Sequence, residues 1–297
     1  MKKDNALKTT QHLKVKTKRL NRSKAGDIGI DIMLILLAAF MVLPMVYVIG
    51  NSFKQFDELF VFPPRFWPRN PTFSNYTDLF TVLSSSWVPI TRYLFNTVFV
   101  TVVGGVAHIF ISSLAAYALS KFKFPGRNTI FQTVVLSLMF SATVTSIPSF
   151  LIIAKLGILD TSWSLILPAI QSSLGLYLMK QFMDQLIHDS LLEAARIDGA
   201  GETRIFFQIV MPLVKPAWLT LMILTIQSLW NSTGSGYIFS EEIKMLPTAL
   251  SQITATGIAR AGVSAAITVI MMLVPIVTFV FSQSQMIETM ATSGMKD

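Results

Sequence analysis

Few side chains in this 297-residue chain could do bond chemistry, and none is arranged for it. His12, His108 and His188 have no partner at zinc-ligand spacing, and there is no cysteine to supply a thiolate or a disulfide. G-x-x-x-x-G-K-[ST] and G-x-G-x-x-G phosphate loops are absent, as are the G-x-S-x-G and H-E-x-x-H arrangements that activate a serine or a metal-bound water. Catalysis by this chain alone is not expected, nor a cofactor or metal of its own. What remains is hydrogen bonding and charge. His108, Gln171, Gln227, Trp230 and Asn231 stand inside apolar stretches, and LLEAARIDGAGETRIFFQIVMP, residues 191–212, sets Glu193, Arg196, Asp198, Glu202 and Arg204 between two long apolar runs.

The elements that must position these groups follow from composition. With 52% hydrophobic and 13% charged residues and a mean hydropathy of +0.58, the chain falls in the membrane class. Six apolar stretches approach the ~20 residues that a helix needs to cross roughly 30 Å of hydrocarbon, at 28–50, 91–118, 130–153, 163–182, 217–237 and 261–282. Backbone groups in lipid must be satisfied within the segment, and the alternation of a barrel is absent, so the expected fold is an all-α integral membrane protein.

Lysines and arginines set the expected orientation. Lys2, Lys3, Lys8, Lys14, Lys16, Lys18, Arg19, Arg22 and Lys24 precede the first span against only Asp4 and Asp27, which places that end in the cytoplasm. With six spans both termini lie inside. The 119–129 connection, with Lys121, Lys123 and Arg127 and no acid, agrees, and 191–212 then faces the same side. The first apolar run is too long for a signal peptide and lacks an A-x-A site, so it reads as an uncleaved helix. The net charge of +8 comes mostly from the tail, whose place beside a membrane helix fits anionic lipid; no aromatic platform accompanies it, so nucleic acid is not an expected partner.

On the opposite side the longest loop, about 51–90, carries Pro63, Pro64, Pro68 and Pro71 among Phe62, Phe66, Trp67, Phe73 and Tyr76. Prolines forbid a continuous helix there; the rings suit either a headgroup belt or a docking surface for an external partner. Within the spans, small and polar residues recur at steps of three and four: Thr101, Gly104, His108, Ser112 and Ala116; Thr133, Ser137, Ser141, Thr145 and Pro148; Ser264, Thr268, Met271, Pro275, Thr278 and Ser282. Thr220, Gln227 and Asn231 align similarly, as do Gln171, Ser172 and Gly175. These faces are expected to look inward, as helix packing or as a hydrated path for an uncharged, hydrogen-bonding solute. His108 is the ionisable group deep in a span; with no acid near mid-membrane, a neutral imidazole bonded across a helix interface suits it better than a proton relay.

The charged insert has internal order. Glu193, Ala194, Ala195 and Arg196 favour helix, Gly199 and Gly201 bracket a turn, and Ile205, Phe206, Ile209 and Val210 make the apolar face of a second helix before Pro212. That order, E-A-A, three residues, Gly199, nine residues, Ile209 and then Met211-Pro212, resembles the EAA loop of ABC importer permeases. FPPRFWPRNPTFSNYTDLF, SSLAAYALSKFKFPGRN, LWNS at 229–232 and the tail ETMATSGMKD are similar to the carbohydrate, maltose-type branch, although SQSQM replaces the usual aromatics before the tail and STGSG departs after Asn231.

The resemblance implies a type I importer permease with six helices and a cytoplasmic coupling helix, in the plasma membrane of a prokaryote. It divides the chain into a basic tail at 1–27, a permease domain at 28–282 with its coupling loop at 184–216, and a second tail at 283–297. Glu193, Ala194, Ala195, Asp198, Gly199, Ile209 and Pro212 would contact the ATPase; Gln227, Trp230, Asn231, Gln171 and His108 would be candidates for the substrate path. The implied partners are a second homologous permease, two ATPase subunits holding ATP and Mg, an extracytoplasmic solute-binding protein and a sugar or oligosaccharide. An amino-acid or peptide importer is the alternative substrate class. An ion-coupled secondary transporter fits less well, since its intramembrane acid is missing.

Overall fold

The computed structural model describes residues 24–84, 87–255 and 260–293, and among these every regular element is helical. Residues 1–23 of the predicted basic tail and the last four of the predicted C-terminal tail lie outside the described residues. Two bodies divide after Tyr47. The first holds most of α1, which runs Lys24–Ser52, and from Ile32 to Leu43 that helix is apolar around its whole circumference and exposed. A helix apolar all round belongs in lipid or against another chain.

The second body begins at Val48. In the predicted external loop, α2 (Phe56–Leu59) and α3 (Ser74–Ser84) flank a stretch without helix from 60 to 73, where all four prolines fall. Polar clips replace the ladder that proline denies. Lys54, 2% exposed, donates to Asn51 Oδ1 at 2.6 Å and to the Arg65 carbonyl, and Asn75 Nδ2 donates to the carbonyls of Ser52 and Lys54 at 2.9 and 2.8 Å. The Glu58 carboxylate accepts the backbone N–H groups of Arg69 and Asn70.

The chain continues through α4 (Ile90–Lys121), α5 (Arg127–Ser137), α6 (Ala142–Lys155), α7 (Trp163–Ile170), α8 (Ser173–Leu186), α9 (Asp189–Ile197), α10 (Glu202–Ile205), α11 (Met211–Leu213), α12 (Lys215–Trp230), α13 (Leu246–Thr254) and α14 (Ala261–Ser293). The spine is α4. Its 32 residues extend about 48 Å, well beyond roughly 30 Å of hydrocarbon, and it touches α7, α8, α12 and α13. Three apolar clusters sit along it. Near its start Tyr93 packs with Leu79, Leu246, Leu250 and Ile267; at its middle Val100 meets Ile166, Leu229 and Met245; at its end Ala116 and Tyr117 meet Met183, Leu192, Phe206 and Val210.

Six spans are expected, and three helices among the described residues are long and apolar enough to cross a membrane unbroken: Gly26–Ser52, Ile90–Lys121 and Ala261–Gln283. The third predicted span is two helices, α5 and α6, meeting at 113°; the fourth breaks at Gln171 and Ser172; the fifth, α12, ends at Trp230 and stands at 77° to the helical run Glu202–Leu213. Extended backbone at Ser141 (ψ 148°) and Ser172 (ψ 115°) stops the helical hydrogen bonding at two of these points. At its far end α14 continues as helix to Ser293, past the predicted end at 282.

The expected inward stripe of α4 is present: Thr101, Gly104, His108, Ser112 and Ala116 are all buried. That of the third span is not. Because the chain turns sharply after α5, Thr133, Ser141, Thr145 and Pro148 are exposed in this chain, and only Ser137 is tied inward, to Ser173 Oγ at 2.6 Å. Thr268 on α14 is exposed as well, while its stripe-mate Ser282 is buried.

Candidate functional site

The charged insert folds as a helix, a turn and a helix against the end of α4. Helix α9 buries Leu192 and Ala195 in the cluster around Tyr117 and turns Ser190, Glu193, Ala194 and Ile197 outward, residues spaced by three and four and so on one face. Ala195 is thus a packing residue. It shares the sequence-predicted ridge only through its backbone, because a helix that buries Leu192 must also bury the residue three positions on. Ile197, 86% exposed, is the apolar tip of the outward face, and the spacing from Glu193 and Ala194 could have revealed it.

Gly199 ends α9 by its conformation. At φ +81° it occupies the left-handed region, the Ala200 N–H reaches the Ala195 carbonyl at 3.0 Å, and its own N–H reaches the Arg196 carbonyl at 3.0 Å. This double closure satisfies the last carbonyls of the helix and fixes the angle at which the chain leaves it. Asp198 is exposed beside it. After Gly201, Glu202 opens α10, a wide turn follows at Phe206–Val210, and α11 holds Pro212, which is exposed; Ile209 is half-buried against the same core as Leu192.

Polar contacts hold the insert to α4. Lys121 Nζ donates to the Ile187 carbonyl at 2.6 Å and to Asp189 Oδ1 at 2.9 Å, while Tyr117 Oη donates to Glu202 Oε2 at 2.8 Å. Glu202 Oε1 also accepts from Arg196 Nε at 2.7 Å. The Lys121 hydrogen bond and charge hold the Asp189 carboxyl below its ordinary range, and the bond to Glu202 raises the Arg196 guanidinium further.

The candidate path residues are dispersed. His108 is buried, with Nδ1 3.0 Å from Thr225 Oγ1. The Thr225 hydroxyl donates its one proton to the Leu221 carbonyl at 2.8 Å, so it accepts from Nδ1–H and leaves Nε2 as the lone-pair nitrogen. Among the described residues Nε2 has no hydrogen-bond partner. A cavity of about 270 Å³ lies beside the ring, lined also by Ser172, Thr225 and Ser228. Gln171 is exposed and faces a different cavity, of about 310 Å³, with Ser149 and Ile153. Trp230 is buried and donates from Nε1 to the Met271 carbonyl at 3.0 Å, tying α12 to α14. Gln227 and Asn231 are exposed, and Asn231 Nδ2 donates only to the Gln227 carbonyl of its own helix at 2.8 Å. His108 is therefore bonded across a helix interface, as its surroundings in the sequence suggest.

A further polar joint was not legible in the sequence. Asp160, itself at φ +58°, accepts the backbone N–H groups of Phe239 and Ser240 at 2.8 Å each and the Ser240 hydroxyl, and its own N–H reaches the Tyr237 carbonyl at 2.8 Å. Among the described residues no group of acids and histidines is placed to hold a metal ion.

Residues 108–288, which run from His108 through the insert and into α14, match the family described as "Binding-protein-dependent transport system inner membrane component". This chain belongs to that family. It is a membrane permease subunit. The permease is 35% identical over 226 residues to the polygalacturonan/rhamnogalacturonan transport system permease protein YtcP of Bacillus subtilis, covering 76% of each chain. It is 32% identical to the arabinooligosaccharides transport system permease protein AraQ of the same organism, over 77% of this chain and 80% of that one. Among solved structures it is similar to a chain of a bacterial ABC transporter involved in the import of the acidic polysaccharide alginate. That match has a TM-score of 0.74 and 25% identity, and covers 89% of this permease and 99% of that chain.

Proposed function

We propose that the permease is one half of the membrane path of an ATP-driven importer of sugars or oligosaccharides, and that its insert is the contact with the ATPase. The reading rests on the outward face of α9. Ser190, Glu193, Ala194 and Ile197 form a narrow, small-residue ridge with one apolar tip, at a helix end fixed by Gly199 and seated on the long spine α4. A ridge of this kind can enter a groove without bulk, and its charges can set register. The oligosaccharide class is supported by what the similar proteins are named for: pectic polymers, arabinooligosaccharides and alginate.

In this reading the three unbroken helices, the bent α5–α6 pair, the broken α7–α8 pair and α12 make six crossings, with both termini and the insert in the cytoplasm. A second permease covers the exposed polar groups Gln171, Gln227 and Asn231; two ATPase subunits seat below and hold ATP and Mg; a solute-binding protein delivers substrate above. Asp198 and Gly199 shape the end of the docking ridge, and Ile209 and Pro212 belong to the strut that returns the chain to α12.

The test is Ala194→Trp, which places bulk on the exposed ridge, beside Ala195→Trp, which overfills the core beneath it. Ala194→Trp is expected to insert normally and abolish ATP hydrolysis stimulated by the binding protein in the assembled complex. Full stimulation in that variant would remove α9 as the coupling contact.

A further inference from the structure

The end of α4 carries two side chains that the sequence resemblance leaves without a task. Tyr117 and Lys121 are one turn apart, hence on one face, and both point into the insert. Lys121 holds the start of α9, through the Ile187 carbonyl and Asp189. Tyr117 holds its far end, since Glu202 accepts from Tyr117 with one oxygen and from Arg196, in the last turn of α9, with the other. Between these pins Leu192 and Ala195 pack beneath α9, and the Tyr117 ring lies 5.5 Å from that of Phe206. Two pins flank an apolar contact. One pin would allow α9 to pivot; two, with a packed core between them, do not.

We infer that Tyr117 and Lys121 clamp α9 to α4 at both ends, so that the two helices move as a single body through the transport cycle. The inference rests on α9 being the ATPase contact. It adds that α4, rather than the α10–α12 strut, is the first spanning helix displaced by the ATPase. The strut cannot be that element, because it contains a wide turn at Phe206–Val210 and a 77° bend before α12. Such irregular points are where helices bend. A second tie sits alongside: Ser120 Oγ donates to Asp184 Oδ1 at 2.5 Å, and Asp184 Oδ2 accepts from Lys180 Nζ at 2.6 Å, so the end of α8 is held to the same turn of α4. Tyr117 and Lys121 are positioning residues: they touch neither the solute nor the ATPase, and act through α9.

Because the chain has no cysteine, an introduced pair is unique within it. Lys121→Cys with Asp189→Cys, in the complete complex with its ATPase and binding protein, is joined by a short bifunctional thiol reagent. The joining is done once without nucleotide and once with ATP trapped by a hydrolysis-deficient ATPase. The expected result is equal cross-linking in both states, and transport by the joined complex within about twofold of the same complex left unjoined. Cross-linking confined to one state, absence of cross-linking in both, or loss of transport on joining would each show that α9 slides on α4 and would overturn the clamp. Tyr117→Phe supplies the complementary readout. Solute moved per ATP hydrolysed should fall severalfold while the ATPase still co-purifies at the unmodified yield; an unchanged ratio overturns the clamp. The coupling reading fails separately, if Ala194→Trp leaves stimulated hydrolysis intact.

Discussion

Gly175 offers the sharpest test of how α8 is seated on α4. A Cβ built on Gly175 would stand 2.1 Å from His108 Nε2, 3.1 Å from His108 Cδ2 and 2.9 Å from Ser112 Oγ. No adjustment of a few tenths of an ångström relieves the first contact, so with Gly175→Ala either the imidazole swings away or α8 retreats. Forcing a methyl into a packed interface costs about 1–3 kcal/mol. A displaced ring also forfeits the bond to Thr225, about 0.6 and at most about 1.7 kcal/mol in a membrane protein. Against this, alanine is favoured over glycine inside a helix by roughly 0.5–1 kcal/mol. The net expectation is a loss of about 0.6–4 kcal/mol. The decisive comparison is Gly175→Ala in a His108→Ala background, where the methyl meets no ring and only the contact with Ser112 Oγ at 2.9 Å is left against the helix preference, so the cost should shrink to within about 1 kcal/mol of zero. Denaturant titration or thermal unfolding of the four proteins, wild type, two singles and the double, measures the cycle. An equal cost of Gly175→Ala in both backgrounds would refute the close approach of α8 to His108.

Three further outcomes follow from named contacts. Trp230→Phe strips the Met271 carbonyl of its donor and leaves the space of the second indole ring empty, so stability should fall by at least about 0.6–1.7 kcal/mol, the hydrogen-bond share, in the same unfolding assay. Asn231→Ala removes a side chain that bonds only to its own helix, so stability should stay within about 0.5 kcal/mol while the transport KM rises; an unchanged KM would take Asn231 off the path. The Asp160 carboxyl is held below its ordinary 3.8 by the Ser240 hydroxyl first and then by the backbone N–H groups of Ser240 and Phe239. A depressed folded pKa contributes stability above the unfolded value that is lost as pH falls through the folded one. Protection of the Phe239 and Ser240 amides against hydrogen exchange should therefore hold across about pH 5–8 and fail only below 3.8, whereas Asp160→Ala should abolish it throughout.

Much of α4 and the insert was legible because both obey periodic rules. The five small and polar residues of α4 recur at helical steps and are all buried, and a glycine after EAARID marks a helix end that needs a left-handed residue. The phase of α9 was readable too, since burying Leu192 commits Ala195 to the same side, yet the compositional appeal of two adjacent alanines obscures it. The break between α5 and α6 was not legible. Residues 138–141, Leu-Met-Phe-Ser, contain neither glycine nor proline, so a hydropathy window passes over a 113° turn. Long-range pairings were equally hidden. Thr225 meets His108 across 117 positions and Glu202 meets Tyr117 across 85, separations that periodicity within one helix cannot bridge.

The same features decide which helix can carry force from the insert to the far face of the body. Of the three unbroken long helices, α1 contains Pro44 and α14 contains Pro275, each of which removes an intrahelical hydrogen bond, whereas α4 contains no proline over its 32 residues. At its end α4 is pinned to α9 through Tyr117 and Lys121. At its start Tyr93 Oη donates to Glu241, Asn96 Nδ2 to the carbonyls of Glu242 and Lys244, and Thr97 Oγ1 accepts the Leu246 N–H, all on the connection leading into α13. Between the two ends Gly104 admits Leu229 so closely that an added Cβ would lie 2.9 Å from its Cδ1, which locks α12 against the middle of the spine. Under the proposed contact, a displacement imposed at α9 has one unbroken element to follow, and that element ends on the 241–246 connection into α13. Tilt of α4 would then carry the movement, because both ends of the helix are bonded to other elements and Gly104 fits its middle closely against α12.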